Sequence, residues 1–229
     1  MESKSTIDTE LLGYLEGLIT PGRKERFLKV LSMRTRFLTV ALEDVYQMHN
    51  ASAVIRSCDA FGIQEAHLIE GRFGRRLDKN IAMGAQQWVD IHRHQTSKAC
   101  MEALRARGYR IIATVPRADA QTLSDFNVKT PAALFFGTEK EGLSSEVLAE
   151  ADGAVYIPMF GFTKSLNVSV AAAILLQDLR GRLDTSGINW GLSEQDMLKK
   201  RMDWTCKTIH SADEIIERYY SQKSGIRKG

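Results

Sequence analysis

Leu11, Leu12, Leu15, Leu18 and Ile19 recur at helical spacing near the start of the chain, and Phe27, Leu28 and Leu31 repeat the pattern after a break at Thr20-Pro21-Gly22. Apolar residues three and four apart share one face of a helix, so residues 8–36 are predicted as two amphipathic helices. The period then changes. Residues 37–45 (FLTVALEDV) favour a strand, and 52–62 (SAVIRSCDAFG) a helix closed by Gly62. Strands are expected over 65–70 and 87–94. A helix is expected over 96–108, with Thr96 or Ser97 capping its start and Gly108 its end. The apolar runs 109–115 and 132–138 have the length of strands covered on both faces. A short helix over 145–152, a strand over 154–159 and a long helix from Asn167 to Leu183 follow. The tail, 193–222, reads as two helices that open on SEQD and SADE, the pattern of capping boxes. Strands alternating with helices predict an α/β fold on a parallel sheet.

Composition narrows the classes. With 229 residues and 44% hydrophobic content the chain can bury a sizeable core without disulfides or metals. Cys58, Cys100 and Cys206 lie far apart, with no CxxC or Cys/His ligand spacing, and His49, His67, His92, His94 and His210 show none either. Neither a disulfide framework nor a metal site is expected from those spacings. The first residues carry no apolar leader, and no window approaches the ~18 apolar residues of a membrane span. A cytoplasmic protein is expected. The net charge of +3 is a weak signal for nucleic acid, but its distribution says more. Arg23, Lys24, Arg26, Lys29, Arg34 and Arg36 crowd one stretch, Arg72, Arg75, Arg76 and Lys79 another, Lys199, Lys200 and Arg201 a third, and Arg227 and Lys228 end the chain. Solvated helix faces would explain any one cluster. Together they have the footprint of a phosphate-backbone partner.

Three loops beyond expected strand or helix ends are chemically dense, and ligands in open α/β sheets gather at the carboxyl ends of strands. In HNASAVIRSCDAFG (49–62), Asn50 stands where a loop enters a helix and Arg56 follows six residues on. As a helix cap, Asn50 would lie within reach of the same cleft as Arg56; the plainer reading is a cap plus a surface ion pair. In FFGTEKEGLS (135–144), Gly137 and Gly142 bracket four polar residues, and glycines let backbone amides approach a ligand. A P-loop fails here, because Gly142 is followed by Leu-Ser, and no GxGxxG follows any strand. In IPMFGFTKSLNVSVAAAILL (157–176), Lys164, Ser165, Asn167 and Ser169 crowd the start of an aliphatic helix. One cap needs one side chain; this junction offers several.

These three segments, in this order, resemble the signature motifs of SPOUT-superfamily RNA ribose 2'-O-methyltransferases, and are most similar to the TrmH type that methylates tRNA. The similarity runs through roughly residues 37–183. The resemblance implies a parallel α/β domain over 37–185 with a C-terminal deep trefoil knot, flanked by helical extensions over 1–36, which would bind RNA, and 186–229. It implies a homodimer acting on tRNA with S-adenosylmethionine. Matched residue by residue, it implies catalytic-centre roles for Asn50, Arg56, Glu139, Ser165 and Asn167. Thr114, Gly137, Ile157, Met159 and Leu166 match the cofactor positions. Arg180 and Arg182 match phosphate contacts, and Arg23, Arg26 and Arg34 join them from the basic cluster. The D-loop guanosine at position 18 is the expected target. Ribosomal RNA, or a knotted RNA-binding protein without turnover, are the alternatives.

Overall fold

The computed structural model describes residues 7–45, 47–71, 84–117 and 119–226. The basic stretch with Arg72, Arg75, Arg76 and Lys79, and the terminal Arg227 and Lys228, lie outside the described residues. Along the chain run α1 (Thr9–Glu16), α2 (Pro21–Leu31), β1 (Leu38–Glu43), α3 (Met48–Ala60), β2 (Glu65–Ile69), β3 (Asp90–His94), α4 (Ser97–Arg105), β4 (Arg110–Thr114), β5 (Gln121–Thr122) and β6 (Ala132–Phe136). Then come α5 (Ser145–Glu150), β7 (Gly153–Tyr156), α6 (Val168–Asp184), α7 (Glu194–Thr208) and α8 (Ala212–Ile226). No described helix is long and apolar enough to cross a membrane.

Two compact units result, Thr35–Gly191 and a second made of Met1–Arg34 with Leu192–Gly229. The first holds a seven-stranded sheet in the order β3-β2-β1-β6-β4-β7-β5. All its neighbouring strands are parallel. Every residue of β1, β2 and β6 is buried, as in a parallel sheet covered on both faces. Alternation along β1 sorts the core. Leu38, Val40 and Leu42 pack with Val54, Ile55, Leu175 and Leu179 of α3 and α6, whereas Ala41 joins Met101, Leu104 and Val147 of α4 and α5 on the opposite face. Burying each such Leu or Ile contributes about 1.5–3 kcal/mol.

Some boundaries differ from the sequence expectation. Ala85–Gln87 form a 3-10 turn, so β3 starts only at Asp90. The two-residue β5 carries no periodicity to read; it exists because it pairs with Val155 and Tyr156 of β7.

Under α4 the sheet carries a polar patch. Glu65, fully buried, accepts hydrogen bonds from Arg107 (2.7 and 2.8 Å), Arg36 (3.0 Å) and the Tyr109 hydroxyl (3.0 Å). Burial alone would push its carboxyl pKa up, but contacts from His67, His92 and Arg107 outweigh it and hold the group well below the carboxylate range. Burial, with the neighbouring His67 and His92, pulls His94 down to about 4. His67 is likewise lowered, chiefly by burial. Burial, with Glu43, pushes the Cys100 thiol up to about 12.

In the second unit α1 and α2 pack against α7, so the two terminal segments read separately from the sequence form one body. Trp204 is 1% exposed, with Phe27 edge-on at 5.6 Å. Glu16 is buried and held by both Arg201 (2.8 Å, bidentate) and Lys24 (2.7 Å). This packing corrects several phosphate-contact expectations. Arg34 is 2% exposed, with its guanidinium 5.5 Å above the Trp204 ring, so it is a core residue of this unit. Lys200 is buried against Asp203, leaving Lys199 as the exposed member of that trio. Arg23 and Arg26 are exposed on α2, as a phosphate contact requires.

The α6 arginines are corrected as well. Arg180 is nearly buried, stacked 3.8 Å over the Trp190 ring and paired with Asp184. Arg182 donates to the carbonyls of Leu123 (2.7 Å) and Phe126 and to Asp178 (3.3 Å). The Arg180 guanidinium holds the fold together rather than facing solvent, and the part-exposed Arg182 spends its donors on the same packing.

Candidate active site

Beyond β6 the chain makes a closed loop. Thr138 and Gly142 exchange backbone hydrogen bonds, each 3.0 Å, and Glu141 N–H donates to Thr138 Oγ1 at 3.0 Å. Gly142 takes φ +72°, a conformation that disfavours any side chain. Gly137 is required for a different reason: a Cβ there would lie 2.1 Å from the carbonyl carbon and oxygen of Gly142 and 2.2 Å from Leu143 N. The far end of the loop is tied to β1. Glu43, buried, accepts from Ser144 N–H (2.8 Å), Ser144 Oγ (2.6 Å) and Ser97 Oγ. Nothing in the periodicity singled out Glu43; a carboxylate ending an otherwise apolar strand was the available signal.

This loop projects Glu139 towards α3. Glu139 Oε1 accepts from Asn50 Nδ2 at 2.5 Å, and Asn50 Oδ1 accepts from Asn167 Nδ2 at 3.2 Å. Asn167 caps α6, its Oδ1 taking Ser169 N–H (2.8 Å) and Ser169 Oγ (2.6 Å). A single chain of hydrogen bonds thus joins the three polar loops. Asn50, 2% exposed, is its centre. It is not the helix cap expected from sequence, because α3 begins earlier and Gln47 is its N-cap.

Beside this chain lies a cavity of about 390 Å³. Thr114, Gly137, Ile157, Met159 and Leu166, from three separate segments, all line it, and so do Glu139 and Ser165. Val155, Val168 and Leu175 supply apolar wall, and Thr114 is oriented by donating to the Phe135 carbonyl at 2.7 Å. Val115, Pro116 and Arg117 also line the cavity, though sequence reasoning passed over them. Their position directly after the apolar run 109–115 was the signal. Arg56 does not line this cavity; it is exposed on α3. Six residues are about 1.7 turns, which rotates Arg56 away from the buried face of Asn50.

Three comparisons agree with this geometry. Residues 37–177 match the SpoU rRNA Methylase family. The chain is 39% identical over 193 residues to a tRNA (guanosine(18)-2'-O)-methyltransferase of Borreliella burgdorferi, covering 84% of this chain and 88% of that one. It is 42% identical over 157 residues to the enzyme of the same name from Thermus thermophilus, covering 69% and 81%. Among solved structures, the A. aeolicus TrmH/SpoU tRNA modifying enzyme superposes with a TM-score of 0.74 at 28% identity, over 86% of this chain and all of that one. The SpoU methyltransferase AviRb from Streptomyces viridochromogenes, in complex with AdoMet, gives 0.60 at 26% identity, over 70% and 65%. Three motif loops joined through Asn50 beside one cavity, on a parallel sheet shared with these enzymes, place the chain in the SpoU methylase family of RNA methyltransferases.

Proposed function

We propose that this protein methylates the 2'-oxygen of a tRNA ribose, at the D-loop guanosine 18, using S-adenosylmethionine. The observation that carries this reading is the Glu139–Asn50–Asn167 chain at the rim of the 390 Å³ cavity. The residues fit the cofactor. The volume is within the ~300–1,000 Å³ of small-ligand sites, Val155, Val168 and Leu175 give it an apolar wall, and the missing Cβ at Gly137 lets the backbone of Gly142 and Leu143 pack directly against it. Gly137, Ile157, Met159 and Leu166 would hold it through backbone and apolar contacts, with Thr114 at the end of β4. When bound, S-adenosylmethionine supplies an electrophilic methyl group on a sulfonium whose departure leaves a neutral thioether.

The chain's own residues then have to position one hydroxyl and manage its proton. Asn50, fixed from both sides, holds Glu139 and Asn167 in a single arrangement at the rim, with Ser165 beside them. A guanidinium stays protonated in proteins, so Arg56 is not a simple base. Its exposed position suits bidentate capture of an RNA phosphate that orients the ribose. Arg23 and Arg26 add exposed charge for the tRNA backbone.

The family's knot would lie in the chain from β6 to α6; strand order supports it, since β4 sits between β6 and β7 and both following loops reach one cavity. A homodimer is supported by apolar side chains left in the open. Phe160 and Phe162 are fully exposed, and Val170 and Ile174 make an i, i+4 pair on α6 at 46% and 38% exposure. The reading assigns the enzyme to the cytoplasm with its tRNA.

The test is transfer of labelled methyl from S-adenosylmethionine to unmodified tRNA and, in parallel, ribosomal RNA, with nuclease digestion and mass spectrometry to locate the ribose. Label at guanosine 18 that disappears in Arg56→Ala is expected. Labelling of ribosomal RNA alone, or RNA binding without any transfer, would overturn the proposal.

A further inference from the structure

The patch beneath α4 contains more than an ion-pair network. In the β2–β3 register His67 stands opposite His92, and Ile69 opposite His94. Side chains alternate along a strand, so Glu65 and His67 of β2 and His92 and His94 of β3 share one face. α4 lays Cys100 onto that same face. His67 Nδ1 is 2.9 Å from His94 Nε2, and Cys100 Sγ lies within 4.8 Å of both rings' ligating nitrogens. Cys100 is fully buried and His67 is 2% exposed, while His94 is only half-buried and opens the group towards solvent. Two soft or borderline nitrogen donors and one thiol, drawn from three elements, converge on one point.

We propose that His67 Nδ1, His94 Nε2 and Cys100 Sγ form a binding site for a zinc ion. Zinc takes such donors in tetrahedral geometry, with Zn–N near 2.0–2.1 Å and Zn–S near 2.3 Å, which sets nitrogen ligands ~3.3 Å apart. The observed 2.9 Å needs the two rings to part by about 0.4 Å. The outer partner is also in place. His67 Nε2 is buried without a hydrogen-bond partner and faces Glu65 Oε1 at 3.8 Å. A ligating imidazole ordinarily turns its other nitrogen to a carboxylate, which fixes the tautomer that leaves Nδ1 its lone pair. Glu65 is in turn pinned by Arg107, Arg36 and Tyr109. His92 belongs to this outer side: its Nε2 lies 3.7 Å from Glu65, and its ring stacks on His67 at 4.9 Å. The fourth zinc position is left to water. On binding, the Cys100 S–H bond breaks, its proton leaves to solvent and a Zn–S bond forms, with no change of oxidation state. The ion would fasten edge strand β3 to β2 and α4, away from the methyl-transfer cavity.

Metal-stripped full-length protein titrated with cobalt(II) tests this. One equivalent per chain should saturate a thiolate-to-cobalt charge-transfer band, zinc should displace it, and zinc should raise the melting temperature. Cys100→Ser should lose the band, and His94→Ala should weaken binding at least tenfold. Cys206→Ser should keep both band and stoichiometry. Circular dichroism and the metal-free melt establish that each variant folds; should Cys100→Ser fail to fold, His94→Ala decides alone. Absence of the band in the wild type, its survival in Cys100→Ser, unaltered affinity in His94→Ala, or its loss in Cys206→Ser would each overturn the site and leave the two histidines as a hydrogen-bonded neutral pair.

Discussion

Replacing Gly137 by alanine adds one methyl group at the tightest point of the candidate site. The new Cβ would stand 2.1 Å from the carbonyl carbon and oxygen of Gly142, whereas ordinary contact begins at 3.4 Å. The obstacle is backbone, so no side-chain rotation relieves it. The loop 138–142 must retreat by roughly the difference, about 1.3 Å, carrying Glu139 away from Asn50. Misplacement of about 1 Å near a reacting centre costs on the order of 10²-fold in rate, equivalent to about 2.7 kcal/mol. Overpacking costs about 1–3 kcal/mol of stability besides. Calorimetric titration with S-adenosylmethionine, paired with methyl-transfer kinetics on tRNA, is the assay, with circular dichroism to establish folding. Gly142→Ala is the control: its φ of +72° makes alanine strained, but nothing lies within 4 Å of its Cβ. That variant should lose about 1–2 kcal/mol of stability and retain more cofactor affinity than Gly137→Ala. If Gly137→Ala bound cofactor within threefold of wild type and turned over normally, the claim that this loop's backbone forms the cofactor cradle would be refuted.

Arg23→Ala with Arg26→Ala should weaken tRNA binding and flatten the dependence of log affinity on log salt, since each lost phosphate contact releases fewer counterions; an unchanged slope would move the RNA surface elsewhere. Arg34→Ala should lower the melting temperature, with about 1–3 kcal/mol lost as Trp204 sheds its cation–π partner and a gap opens. Its salt slope for tRNA should stay at the wild-type value, which a true phosphate contact could not do. In chelator-treated protein, stability should fall as pH drops from 6.5 towards 4. His94 there faces His67 from β2, His92 from its own strand and Cys100 from α4, and has its pKa lowered from 6.5 to about 4. In that window the unfolded chain binds the proton that the folded one refuses, so the contribution is present above pH 6.5 and lost on acidification. Discounted for partial exposure, the change is about 1–2 kcal/mol. Thermal melts of wild type and His94→Ala at pH 7 and 4.5 check it, and equal losses in both would count against the assignment.

Much of this protein is local, and what is local was legible in the chain. The strand-length apolar runs at 109–115 and 132–138, the capping residues Thr96 and Asn167 and the glycine pair around 138–141 depend on neighbours a few residues away. The alternation of strands and helices, and hence the parallel sheet, follows from them. The positions matched to the cofactor line one cavity because motif spacing records where strands end.

What tertiary structure decided is which partner each side chain meets, and periodicity carries no such record. An arginine in a basic cluster looks the same whether it faces water, as Arg23 does, or lies on Trp204 from a segment 170 residues later, as Arg34 does. Arg180 and Arg182 became structural only when Trp190 and the Leu123 and Phe126 carbonyls packed against α6. Asn50 looked like a cap but became the buried centre of the site once Glu139 and Asn167 closed on it. His67, His94 and Cys100 show no ligand spacing, yet strand register and the packing of α4 bring them together. Sequence specifies how the chain repeats; distance across the sheet and between packed helices depends on register and docking, which arise only when distant segments meet.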